Sequence, residues 1–153
     1  NATMIGRDNV RRALLRVDNN ILKLDSALDE TVRLIDQPRG RTDVAETVRL
    51  MKLFEGRLIV QTMFLRGVYD GRRVDNTTEA EVSTWLELIR EVAPQQVMIY
   101  TIDRETPAHG LEKIPVEELM RIGARVEALG IPCSVSGATD HPSTPDSKPN
   151  PEE

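Results

Sequence analysis

The chain is poor in the residues that most often advertise chemistry. It has one cysteine, two histidines and only 3% aromatic residues in 153. The lone Cys133 excludes an internal disulfide framework and any multi-cysteine metal site built from these residues. His109 and His141 are too far apart in sequence for ligand spacing of the His-x₃₋₅-His kind. No apolar run approaches the roughly 18 residues of a membrane span, and no secretory leader pattern is visible. On that ground Asn1-Ala-Thr3 and Asn76-Thr-Thr78 are read as chance matches to the glycosylation pattern, and a cytoplasmic location is expected. No G-x-G-x-x-G, P-loop, G-x-S-x-G or H-E-x-x-H occurs, so the common nucleotide-fold, hydrolase and zinc-protease readings lose support. A net charge of −5 argues against a general nucleic-acid surface, because phosphate neutralisation needs excess cations.

What is present is a core-forming pattern, with 39% hydrophobic residues supplied mainly by Leu, Val, Ile and Met. Four short apolar runs, near residues 21–25, 58–64, 97–102 and 132–135, are expected to be strands, the middle two on β-branched content. Amphipathic helices lie between them. Asp43 is placed to cap one carrying Val44, Val48, Met51 and Phe54. Thr78 and Glu81 form a capping box for the next, with Val82, Trp85, Leu86, Ile89 and Ala93 inward and Pro94 as its stop. Pro115 suits the first position of another, with Val116, Leu119, Met120 and Val126 inward and Gly130 at its end. A short helix is expected near 28–35, and Asp8 is a candidate cap for one carrying Val10, Leu14 and Val17.

Strand-to-strand steps from Leu22 to Ile59, Met98 and Cys133 are 37, 39 and 35 residues. Strand and helix alternating at this period describe βαβ units, hence an α/β chain with a parallel sheet. Four strands cannot close an eight-stranded barrel, so the expectation is an open sheet or part of a TIM-type barrel over 1–137. Residues 138–153, rich in proline and acids, read as a disordered tail. The chain opens Asn1-Ala-Thr-Met-Ile-Gly6, which reads as the middle of something longer.

Sites in parallel β/α folds gather at the C-terminal ends of the strands. The polar residues there are Lys23, Asp25 and Ser26; Gln61 and Thr62; Tyr100, Thr101, Asp103 and Arg104; and Ser134 and Ser136. Lys23 within an apolar strand needs a partner: either a salt bridge to Asp25 within the sheet, or a pair held for an anionic or hydroxyl-bearing ligand. The connection from Arg66 to Asn76 is long for a βα loop. Its two glycines and three arginines suit either a solvated loop or an anion clamp for a phosphorylated substrate. His109, in the stretch 103–110, is a candidate acid or base.

These strands resemble a known family. Leu22-Lys-Leu-Asp-Ser-Ala27, followed by a helix and Asp36-Gln-Pro-Arg-Gly40, is similar to the fourth-strand region of radical S-adenosylmethionine (radical SAM) enzymes. Val60-Gln-Thr-Met-Phe-Leu-Arg-Gly67, leading to Asp75-Asn76, is similar to their fifth strand, and Gln96-Val-Met-Ile-Tyr-Thr101 to their sixth. The nearest types are the wybutosine-synthesis-like iron–sulfur oxidoreductases and, further off, the molybdenum-cofactor biosynthesis enzyme A type. The resemblance implies a partial barrel, a [4Fe–4S] cluster on three cysteines, S-adenosylmethionine bound to its open iron, and an electron donor as partner. It carries Lys23, Asp25, Ser26, Gln61, Thr62 and Asn76 over as cofactor contacts, and Tyr100, Thr101, Asp103 and Arg104 to the substrate side. The chain departs from the family in lacking C-x-x-x-C-x-x-C and the glycine-rich second-strand segment, and Lys23 stands where Ser is common. The expectation is therefore the later part of a radical enzyme whose cluster-binding half lies elsewhere; the alternative is a non-catalytic β/α module that binds a ligand or partner without a cluster.

Overall fold

In the computed structural model the described residues are 20–36, 43–69, 71–102 and 110–136. Four parallel strands, β1 (Ile21–Lys23), β2 (Ile59–Phe64), β5 (Gln96–Thr101) and β7 (Cys133–Ser136), lie side by side in chain order. Right-handed crossovers between sequential neighbours place every connecting helix on the same face of such a sheet. The helices are α1 (Asp29–Asp36), α2 (Val44–Lys52), α3 (Glu79–Val92) and α4 (Val116–Glu127). The expected α/β class, parallel order and strand positions are all observed.

The helices form where their caps and stripes direct. The Asp43 carboxylate accepts the Glu46 amide at 3.0 Å, and Val44, Val48, Met51 and Phe54 are all buried. Thr78 Oγ1 accepts the Glu81 amide, and α3 stops at Ala93, left-handed at φ 48°, ahead of Pro94. Two details differ from expectation. Pro115 sits one position before α4, as its cap residue. The inward stripe of α4 is Leu119, Ile122, Gly123 and Val126, while Val116 and Met120 are 43% and 59% exposed. Leu119 fixes the face: its i+3, i+4 and i+7 partners are Ile122, Gly123 and Val126, and Met120 is turned away by one residue. Gly123 belongs to that stripe because a Cβ there would lie 3.0 Å from the Val135 side chain and 3.5 Å from Cys133 Sγ.

The segment from Arg66 to Asp75, expected as a loop, is a β-hairpin. β3 (Arg66–Tyr69) and β4 (Arg72–Asp75) pair antiparallel, and β6 (Leu111–Glu112) joins β3 to make a second, three-stranded sheet. Gly71, just before β4, has φ 74°, as the tight turn of a hairpin requires. Gly67 is required by contact: a Cβ there would sit 2.0 Å from the Gly110 carbonyl oxygen.

Alternation along the parallel strands divides the main sheet into two faces. Leu22, Leu24, Val60, Phe64, Val97 and Ile99 belong to the core with the helices, and Cys133 and Val135 pack against it. Phe64 meets Trp85 edge to face, with ring centroids 5.2 Å apart. The other face carries Lys23, Gln61, Met63, Met98, Tyr100 and Ser134, all half-buried, and Ser136, exposed.

Candidate functional site

The open face is organised by register. Lys23 pairs with Gln61, Gln61 with Met98, and Met98 with Ser134, so one row crosses all four strands. Met63, Tyr100 and Ser136 form the next row, nearer the C-terminal ends. Asp25 lies at the β1 end of that row. Its Oδ1 accepts the Met63 amide at 2.8 Å, and its Oδ2 lies 3.2 Å from Lys23 Nζ. The Asp25 side chain is fully buried and that of Lys23 is 38% exposed. The expected Lys23–Asp25 pair therefore exists, with the carboxylate inside as the holder and the ammonium facing outward. Behind the rows, Gln96 Nε2 donates to Ser134 Oγ at 3.3 Å.

The remaining candidates on described residues are tied to the scaffold. Thr62 points to the helix side, donates to the Leu24 carbonyl at 2.7 Å and accepts from Trp85 Nε1 at 3.2 Å. Thr101 does the same one strand over: it donates to the Phe64 carbonyl at 2.8 Å and accepts the Ile114 amide at 3.0 Å. Ser26 Oγ donates to Glu81 Oε2 at 2.6 Å, and Thr31 donates to Glu81 Oε1 at 2.6 Å. The Glu81 side chain thus bridges two hydroxyls from the end of β1 and from α1. Asn76 uses its whole amide: Nδ2 donates to the Asp25 and Met63 carbonyls at 2.9 and 2.8 Å, and Oδ1 accepts the Leu65 amide at 2.9 Å. It ties the ends of β1 and β2 to the hairpin. Asp103, Arg104 and His109 lie outside the described residues.

The hairpin arginines do not converge as an anion clamp. Arg72 and Arg73 are consecutive on β4 and so point to opposite faces, and Arg66 is paired with Glu118. The sequence signal for this was the Asp-Gly turn within Val68-Tyr-Asp-Gly-Arg-Arg-Val74, which marks a hairpin instead of a loop. Met63 and Met98 are the open-face residues that strand-end reasoning passed over, since it looked for polar groups alone.

The cluster implied by the family resemblance does not fit the residues present. The chain has one cysteine. Cys133 is on the helix side of β7, and burial, with a smaller contribution from the charge of Glu127, pushes its thiol up to about 11. It is protonated at neutral pH and is a poor ligand in that state. Among the described residues no three His, Cys, Asp or Glu side chains come together as a metal site. Nor is any helix there long and apolar enough to cross a membrane.

Comparison with known proteins agrees on the architecture. No family model matches the sequence. A crystal structure of a domain of pyruvate-formate lyase-activating enzyme from Bacteroides vulgatus superposes with a TM-score of 0.65 at 9% identity, covering 89% of this chain and 78% of that one. The crystal structure of a radical SAM methyltransferase from Sphaerobacter thermophilus gives 0.61 at 18% identity, covering 90% of this chain and 38% of that one. The chain therefore has a fold found in radical SAM enzymes. In sequence it is 24% identical over 150 residues to a protein of Brachyspira hyodysenteriae named GTPase Obg, and it spans only 20% of that protein's length. The P-loop a GTPase needs is absent from these 153 residues, so the similarity does not bring nucleotide hydrolysis with it.

Proposed function

We propose that the chain supplies the later strands of a radical SAM-type barrel within a longer protein that carries the cluster on other residues, its open sheet face forming the wall turned toward cofactor and substrate. The observation that carries this reading is the asymmetry of the sheet. Four sequential parallel strands share a fold with two structures of radical-enzyme proteins, are sealed by helices on one face, and present two cross-strand rows of reachable, largely polar side chains on the other. On this reading Lys23 and Gln61 face the cofactor, Asp25 holds Lys23, and Tyr100 belongs to the substrate side. Ser26, Thr62, Asn76 and Thr101 keep the strand ends in place behind them. Asp103 and Arg104, outside the described residues, are assigned to the substrate side by the family resemblance alone. Within the superfamily, the strand motifs favour the wybutosine-synthesis-like oxidoreductases. An electron donor is the partner and the cytoplasm the location.

Anaerobic reconstitution of the whole gene product with iron and sulfide tests this. The expected result is a brown protein that, once reduced, cleaves S-adenosylmethionine to 5′-deoxyadenosine, with cleavage impaired by Gln61→Ala and retained by Thr62→Val. The second reading, a cluster-less ligand-binding module, is favoured by one observation: the single cysteine packs on the helix side of the sheet, away from the open face. A colourless gene product that leaves the cofactor intact supports that module and contradicts the enzyme.

A further inference from the structure

Among the described residues the open face carries its charge at one edge only. Lys23 and Asp25 lie on β1, and the side chains of β2, β5 and β7 that complete the two rows are Gln61, Met63, Met98, Tyr100, Ser134 and Ser136. None is charged, in a chain of which 29% is charged. The surface also differs from the helix-facing side of the same strands, which is mostly apolar and closed, its two threonines committed to the backbone. At its centre Met63 lies beside Tyr100 across the strands, and Met98 precedes Tyr100 by one row. Thioether sulfur favours contact with aromatic ring edges, and a tyrosine ring favours stacked or edge-on aromatic partners. Ser134 and Ser136 flank this centre with groups that both donate and accept hydrogen bonds, and Gln61 borders it on the cofactor side. Strands about 4.8 Å apart and rows about 6.6 Å apart give the block a footprint of about 10 by 7 Å, the size of one or two fused rings.

We infer that this block is a binding surface for the substrate, and that the part of the substrate it holds is an uncharged, planar, unsaturated group with hydrogen-bonding edges. The inference rests on the reading above that the open face is the ligand wall. An ionised group would lose solvation against thioethers and a phenol without a counter-charge, and a saturated ring would forgo the ring contacts of Met63, Met98 and Tyr100.

The methionines provide the test. Met63 and Met98 are in the block, Met51 is sealed on the helix side, and Met120 is exposed on α4. The full chain is labelled with ¹³C at its methionine methyls and titrated with benzamide. The expected result is a saturable shift of the Met63 and Met98 signals with Met51 and Met120 unmoved. Cyclohexanecarboxamide, which keeps the amide and loses the flat ring, and benzoate, which keeps the ring and adds a charge, are expected to bind at least about threefold more weakly. Tyr100→Leu is expected to weaken benzamide by about three- to tenfold and Tyr100→Phe to preserve it, with an unshifted Met51 signal reporting an intact core in each. Absence of a saturable shift, equal movement of all the methyls, or tighter binding of benzoate overturns the inference. So does displacement of benzamide by S-adenosylmethionine, which would assign the block to the cofactor. The titration needs no cluster, so the two readings fail separately. Benzamide binding in a chain whose gene product forms no cluster keeps this inference and ends the enzyme reading; cofactor cleavage without benzamide binding does the reverse.

Discussion

The two faces of the parallel sheet are built from the same strands and obey different rules. On the helix side each polar group is committed to the backbone or to a neighbour. Thr62 joins β1 to β2 with the Trp85 indole, and Thr101 joins β2 to the segment before α4. On the open side Gln61 and Tyr100, each one residue earlier, remain within reach of solvent. A hydroxyl at the end of a parallel strand is therefore no sign of a site by itself; Thr62 and Thr101 hold the scaffold, and their neighbours of opposite parity lie on the open face.

That contrast can be broken by substitution. The largest loss is expected from Trp85→Ala on the helix side, about 3–5 kcal/mol by urea denaturation, because a fully buried ring and its edge-to-face contact with Phe64 are lost together. Met98→Ala, on the open face, is expected to cost a small fraction of that, and equal losses would erase the distinction between the faces. Asn76→Ala is expected to cost about 2–4 kcal/mol, since the Asp25 and Met63 carbonyls and the Leu65 amide all lose their partner in a buried place. A loss below about 1 kcal/mol would mean that water replaces the amide. In the opposite direction, Ala93→Gly is expected to raise stability by about 1 kcal/mol, by relieving a left-handed alanine at the end of α3.

Cys133 gives a pH-dependent test of the closed face. Its thiol is raised from 9.0 to about 11 by burial, so the folded chain holds the proton more tightly than the unfolded one. The sign follows from linkage: this contribution to stability is fully present below about pH 9 and is lost as pH rises toward about 11. Alkylation by iodoacetamide should be slow at neutral pH and keep accelerating beyond pH 9. A rate that levels off below pH 9 would mean that the thiol is not buried against α4.

Much of the fold was legible because repeats are long-range in sequence and local in cause. The 35–39-residue period, the Asp43 and Thr78 caps and the α3 stripe from Val82 to Ile89 each depend on neighbouring residues alone and appear as expected, while Ala93, expected inward, is the exposed left-handed cap and Val92 is buried in its place. The hairpin was missed because the length of the connection outweighed its Asp-Gly turn, and the pairing of β3 with β6 joins segments far apart in sequence. On α4, Val116 and Met120 were assigned inward on hydrophobicity, while the close approach of Gly123 to β7 turned the helix by about one residue. The site was only half legible. The Lys23–Asp25 pair at the end of β1 was anticipated. But Thr62, Thr101, Ser26 and Asn76 look like ligand contacts in sequence, and only their partners in space show them committed to the scaffold. Asn76 spends its amide on groups up to 51 residues away, which no local pattern encodes.

One face of the single parallel sheet is closed by helices and the other is open. Thiol accessibility at two consecutive positions tests this contrast most directly. With Cys133 replaced by Ala, a cysteine is introduced by Met98→Cys or by Ile99→Cys, and its reaction with a maleimide is timed in the folded chain. The account requires fast labelling at position 98 and strong protection at 99 until the protein unfolds. Equal rates at the two positions, or faster reaction at 99, would contradict it.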